Sequence, residues 1–219
     1  MGEYNIYPDY DAFYVKTGKP FSTPRNSAES DSFNTGSDRL EISVTDDGGT
    51  TFNFRRSYLS FDISSITEPI TGMSLNIYVV SSNYDYIAVT YSGTKIFENN
   101  TDYSTYIDEG SIEWATRIIL SVDQYNEFPL DSRILPYPDP STDPTLVIGL
   151  IDVNDFDNTE VGGYSVIVNS SESVGKSPYL KISTSPPVGY PDTVMGVSSS
   201  SISTVNGINI SNISKINVI

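Results

Sequence analysis

The chain reads as an all-β protein: a jelly-roll-like antiparallel β-sandwich followed by a short C-terminal β-repeat arm. Three observations predict this. Short apolar–polar alternations recur along the chain, with turn residues every 8–12 positions and no sustained helical period. The composition, 37% hydrophobic with 12% aromatic, is enough for a packed core. The last stretch repeats at a period of 11 in Ser, Asn, Ile and Val, nearly free of charge.

In chain order, Asp11–Val15 opens the first expected strand, and a polar loop through Asn34–Ser37 leads to Leu40–Val44, which alternates at period 2. Asp46-Asp47-Gly48-Gly49 supplies a hairpin turn. Thr51–Phe54 and Arg56–Phe61 follow, with Arg56 in phase with Tyr58 and Ser60; Arg55-Arg56 either steers an anionic ligand or forms an exposed face. Ser74–Val80 places Leu75, Ile77 and Val79 on one side, and Tyr86–Tyr91 and Ile118–Val122 are further strands. Pro129–Pro144 holds five of the thirteen prolines and is expected as a rigid, extended loop. Thr145–Val153 is almost continuously apolar, the mark of a central strand buried on both faces. Gly163–Asn169 and Tyr179–Ser183 complete the set. Pro186-Pro187 and Gly189-Tyr190-Pro191 end it, so the expected organisation is a sandwich over 1–185, a stiff linker over 186–191 and an arm over 192–219.

Composition also excludes chemistry. The chain has neither Cys nor His, which removes disulfides, zinc sites built on those residues, and Cys–His or Ser–His–Asp catalysis. No pair of carboxylates is singled out by spacing, so the expectation is a non-enzymatic protein. Twelve basic against 28 acidic residues give a formal charge of −16, unsuited to nucleic acid or anionic lipid. The start, MGEYNIYPDYDAFYV, lacks the basic-then-apolar pattern of a signal peptide, and no apolar run approaches the ~18 residues of a membrane span.

Two segments carry candidate ligand chemistry. Asp152–Glu160 sets six acid or amide side chains within nine residues, and Asp152, Asn154, Asp155, Asp157 and Glu160 are the expected ligands if calcium is bound. A solvated acidic turn is the other reading of that segment. Tyr84, Tyr86 and Tyr91 around the Ser81-Ser82-Asn83 turn, with Tyr103, Tyr106 and Trp114, are candidate platforms for sugar rings. The competing reading is ordinary sheet packing, since tyrosine is favoured in strands. Tyr4, Tyr7, Tyr10 and Tyr14 are expected to cover a sheet edge rather than to bind.

In the arm, TVMGVSSSSIS from Thr193 is followed by TVNGINISNIS and then KINVI. Val194, Val197, Ile202, Val205, Ile208, Ile213 and Ile216 hold fixed phase, and Asn206-Gly207 has the form of a tight hairpin turn. A unit this small cannot bury its own apolar face and must pack on a copy, on the sandwich or on another protein. The expectation is a homo-oligomer, with a trimer favoured.

The order of these motifs resembles a known family. Asp11-Ala12-Phe13-Tyr14-Val15, the Asn34-Thr35-Gly36-Ser37 loop, Arg56-Ser57-Tyr58-Leu59-Ser60-Phe61-Asp62-Ile63-Ser64 and Ser74-Leu75-Asn76-Ile77-Tyr78-Val79 follow the pattern of DNRLRE-type domains, related to carbohydrate-binding module family 96. Lys176-Ser177-Pro178-Tyr179-Leu180-Lys181-Ile182 looks like the family's closing strand, and the resemblance covers about residues 9–185. The family's W-x-E-x-x-V-T-W segment has no counterpart beyond Ile112-Glu113-Trp114-Ala115-Thr116. The resemblance implies a sandwich with carbohydrate as ligand class. Ile202-Ser203-Thr204-Val205-Asn206-Gly207-Ile208 and Ile213-Ser214-Lys215-Ile216-Asn217 are similar to the I-S-K-x-N-G-V repeats that end many structural proteins of tailed bacteriophages. Together these imply a virion component, a head or tail fibre or spike exposed on the particle and assembled in the host cytoplasm. Its implied partners are its own copies, other virion proteins and host-surface glycan. An accessory carbohydrate-binding module of a polysaccharide-degrading enzyme or adhesin, and a ligand-free capsid decoration protein, are the alternatives.

Overall fold

The computed structural model describes residues 2–48, 51–92, 113–134, 144–160 and 162–185, with the strand pairs 204–205 and 208–209. Eleven strands join in one antiparallel sheet. They are β1 (Gly2–Ile6), β2 (Tyr10–Gly18), β3 (Ser32–Asn34), β4 (Arg39–Asp46), β5 (Phe52–Asp62), β6 (Ile70–Ser82), β7 (Ile87–Ser92), β8 (Gln124–Pro129), β9 (Thr145–Asp152), β10 (Tyr164–Asn169) and β11 (Tyr179–Thr184). Two one-turn helices, α1 (Ser22–Arg25) and α2 (Val153–Phe156), lie between them.

The two longest strands turn this sheet into a sandwich by changing partners along one edge. β5 pairs with β4 up to Arg55 and with β9 from Ser57, while β2 runs along its other side. β6 pairs with β11 up to Asn76 and with β10 from Val79, with β8 opposite. The register slips where β10 meets β6, at Ile167/Val168, the kind of irregularity that bends a strand. Period-2 alternation then delivers the core. Leu75, Ile77 and Val79 of β6, Leu180 and Ile182 of β11 and Phe128 of β8 meet Leu59 and Phe61 of β5 and Leu146, Ile148 and Leu150 of β9.

The reverse faces of β5 and β9 are buried as well. Phe54, Tyr58, Val147, Ile151 and Val153 pack with Ala12, Tyr14 and Phe21 in a second cluster. This is why Thr145–Val153 reads as continuously apolar: both faces of β9 meet protein. Gly149 faces Tyr58 across the strands, and a Cβ there would stand 2.5 Å from the Thr90 hydroxyl and 3.3 Å from the Tyr58 ring. Only the smallest residue admits that approach.

Several elements follow the sequence closely. The turn expected after β4 begins at Asp46–Gly48, with the Gly48 N–H donating to Asp46 Oδ1 (3.0 Å) and the Thr51 N–H to Asp47 Oδ1 (2.7 Å). The edge role expected for the N-terminal tyrosines is realised in part: β1 borders β11, and Tyr4 packs against the core. In the arm, β12 (Thr204–Val205) and β13 (Ile208–Asn209) pair antiparallel across Asn206-Gly207. Linker residues 186–191 lie outside the described residues.

Others are corrected. Ile118–Val122 is not a strand; Ile119 and Val122 are exposed, and the chain turns at Asp123 (φ 60°) into β8. Asn126 holds this turn, accepting from the Ser121 N–H and donating to its carbonyl. Pro129 therefore ends a strand rather than beginning a loop, as suits a residue that cannot donate to a ladder. Arg56 is not on an exposed face; it is fully buried.

Candidate functional site

One end of the sandwich gathers the turn between β6 and β7, the segment from Glu113, the end of β9 with α2, and the start of β10. Asn83 fastens the first of these to the last. Its Nδ2 donates to the Gly163 carbonyl (2.9 Å) and its Oδ1 accepts from the Ser165 N–H (2.7 Å). The clamp seats the Tyr84 ring on Tyr164, with centroids 4.1 Å apart, while Tyr86 stands edge-on to Tyr84 at 6.3 Å.

Beneath the rings lies the N-terminus of α2. Asp152 is its N-cap, in extended backbone, and its Oδ1 accepts from the Asn154 N–H (2.8 Å) and the Asn154 side-chain amide (2.9 Å). Asp152 is only 2% exposed, and its Oδ2 has no hydrogen-bond partner among the described residues. Burial pushes this carboxyl up to about 6, with the neighbouring Asp155 acting in the same direction. The Tyr84 hydroxyl is also raised, first by burial and then by the Asp152 charge; Arg117 and a hydrogen bond from Asn154 oppose that.

Arg117 closes the end. Its Nε donates to the Glu113 carboxylate (2.9 and 3.1 Å), and Nη1 and Nη2 donate to Asp157 (2.8 and 2.7 Å). The guanidinium stands 5.7 Å from the Phe156 ring centroid. Asp157 is held below its ordinary value chiefly by that hydrogen bond to Arg117.

A second arginine cluster supports the site from inside. Arg56 makes a bidentate pair with Asp155, Nε to Oδ2 at 2.7 Å and Nη2 to Oδ1 at 2.9 Å, and also donates to the Arg25 carbonyl (2.8 Å). Arg25 in turn donates from Nε to the Asp155 carbonyl (2.7 Å) and from Nη2 to that of Phe156 (3.3 Å). Burial raises the Asp155 carboxyl while Arg56 and Arg25 work against it. The pair ties α1 and α2 to β5.

Two readings that are separate in sequence therefore meet in space: Tyr84 and Tyr86 stand over Asp152 and Asn154. The remaining expected residues fall elsewhere. Trp114 is 6% exposed and belongs to the core, locked by its N–H to Val89 O (2.8 Å) and its carbonyl accepting from Asp131 N–H (2.7 Å). Its ring lies under the Arg133 guanidinium, 5.5 Å from centroid to carbon, so it packs rather than presenting an open face. Tyr91 pairs with Ile148 in β7, and its side chain lies outside the described residues, as do Tyr103 and Tyr106. The five expected calcium ligands do not turn to one point: Asp155 holds Arg56 and Arg25, Asp157 holds Arg117, Asp152 and Asn154 bond each other, and Glu160 is exposed. Among the described residues no group of three or more acidic side chains is arranged to hold a metal. Of the arm, Val205 and Ile208 stand opposite each other in the hairpin; Val194, Val197, Ile202, Ile213 and Ile216 lie outside the described residues.

Sequence reasoning passed over Tyr164, Arg117 and Asn83. The only local signal available was Asp152-Val153-Asn154, a helix N-cap pattern; nothing in a linear pattern ties residue 84 to residue 164. A scan against protein-family models finds no matching family, and a search of curated proteins finds no similar sequence.

Proposed function

We propose that this chain is a non-enzymatic structural protein of a bacteriophage virion, a head or tail fibre or spike component, whose sandwich is displayed for attachment to host-surface glycan. The observation that supports the attachment role best is the convergence at one end of Tyr84, Tyr86 and Tyr164 with Asp152, Asn154 and Arg117. Tyrosine rings offer faces to the C–H groups of a sugar, with the partly exposed Arg117 at the rim as a donor to its hydroxyls, while Asp152 and Asn154 lie buried beneath and support the rings. The virion assignment draws on the 11-residue repeat, whose apolar positions need a partner, and on its likeness to phage structural proteins. The arm joins copies of the chain or docks them to another virion protein.

Mass spectrometry of purified virions tests the assignment directly: the protein is expected at a fixed, symmetry-related copy number. Its absence from purified particles overturns the reading. A ligand-free decoration protein is the second reading, favoured by the occupation of Arg117 by two carboxylates. That reading predicts particles whose attachment is unchanged by Tyr84→Ala and Tyr86→Ala.

A further inference from the structure

The outer face of the layer formed by β8, β6, β11 and β1 carries a row of tyrosines that the end site does not use. Alternation puts Tyr125, Tyr78 and Tyr179 on the side away from Phe128, Ile77 and Leu180 of the core, and Tyr7 follows the end of β1. Tyr78 and Tyr125 are directly opposite each other, with centroids 5.5 Å apart. Tyr125 meets Tyr179 at 5.3 Å, and Tyr179 meets Tyr7 at 6.0 Å. Tyr7 is 57% exposed and Tyr125 is exposed as well.

Cross-strand aromatic pairing accounts for two adjacent rings. It does not by itself account for four rings in a row, two of which, Tyr7 and Tyr125, are exposed. The row is pinned: Tyr125 donates to the Ser177 carbonyl (3.0 Å), Tyr78 donates to the Asp123 carbonyl (2.8 Å), and Lys176 donates to the Tyr78 hydroxyl (2.8 Å). Lys176 also sits 4.2 Å from the Tyr78 ring centroid, and no carboxylate among the described residues forms an ion pair with it. Asn76, level with Tyr179 on β11, is 5% exposed, and its Nδ2 donates to the Ser74 carbonyl and hydroxyl, both at 3.5 Å.

We propose that this face is a second carbohydrate-binding surface, with Tyr7, Tyr125 and Tyr179 as ring platforms and Asn76 and Lys176 as hydroxyl-binding groups, selective for neutral pyranose chains. Tyr125, anchored through its hydroxyl, loses little freedom on binding, which favours a ligand held by ring stacking. The neutral class follows from charge: one ammonium in a chain of −16 does not offset the repulsion of a polyanion. The surface shares no residue with the end site and stands or falls separately from it.

Affinity electrophoresis of the full chain through gels containing mannan, dextran or soluble β-glucan, with alginate as the anionic comparison, tests this. Retardation is expected in at least one neutral gel and not in alginate. Tyr7→Ala and Tyr125→Ala are each expected to weaken it by about tenfold, the range of a hot-spot ring. If Tyr125→Ala lowers the melting temperature, Tyr7→Ala and Lys176→Met carry the test. Unchanged retardation in Tyr7→Ala and Lys176→Met, retardation in alginate alone, or none in any neutral gel overturns the proposal. Loss confined to Tyr84→Ala/Tyr86→Ala supports the end site and overturns this one; loss confined to the row does the reverse.

Discussion

Asp152 is the residue at which the fold works against itself. Pushing its carboxyl from an ordinary 3.8 up to about 6 disfavours the ionised form in the fold by roughly 3 kcal/mol. The sign follows from the raised value. Below 3.8 the group is protonated in folded and unfolded chains and costs nothing; between 3.8 and about 6 the unfolded chain ionises first, and above that the full cost is present. Asp152→Asn keeps an acceptor for the Asn154 N–H, so the cap survives. Denaturant titrations of variant and parent are therefore expected to diverge as pH rises from 4 to 7, the variant gaining stability relative to the parent. Parallel pH profiles would contradict this. From the sequence, Asp152–Glu160 read as a calcium loop or a solvated acidic turn; the burial of Asp152 was not legible there, because Tyr84, which stands over it, is far away in the chain.

At the scale of elements, α1 and α2 are too short to hold themselves on the sheet, and the Arg56–Asp155 pair does it for them. Removing one partner of a buried pair strands the other charge, so Arg56→Met and Asp155→Asn are each expected to cost about 3–5 kcal/mol. Arg56→Met/Asp155→Leu should recover part of that loss in thermal melts, since neither residue of the pair is then left as an unpaired charge and Arg25 keeps its carbonyl acceptors on α2; a fully additive double variant would contradict this. The same occupancy bears on calcium: with Asp155 and Asp157 held by guanidiniums, added calcium or chelator is expected to leave the melting temperature unchanged. A rise with calcium would instead support the cation reading of residues 152–160. Strand periodicity made β4, β6, β9 and β11 legible because each buries one or two whole faces. β8 was hidden because its inward positions are Asn126 and Phe128, a polar–apolar mixture, and it ends in proline. Arg56 fell in a strand alternation that fits an outward face equally well; only its distant partner Asp155 decides.

Across the whole molecule, a sandwich that closes its own cores is followed by an arm that carries apolar repeats. Deleting residues 192–219 is expected to leave a folded sandwich of lower oligomeric state in sedimentation experiments; a monomeric full-length chain at micromolar concentration would contradict self-assembly and point to docking on another protein. Repetition of weak sites on a particle raises effective concentration, so attachment by assembled copies is expected to exceed that of one sandwich by a large factor. The central claim is that the tyrosine-lined end contacts sugar, and it is tested most directly by surface plasmon resonance of the full chain on immobilised host-surface polysaccharide, comparing the parent with Tyr84→Ala/Tyr86→Ala. Saturable binding is expected for the parent and a loss of at least about tenfold for the variant, measured where the variant is still folded, because both rings pack on the second core cluster and their removal costs some stability. Equal binding by both proteins, or a variant whose lost binding is matched by a collapsed melting temperature, would contradict it.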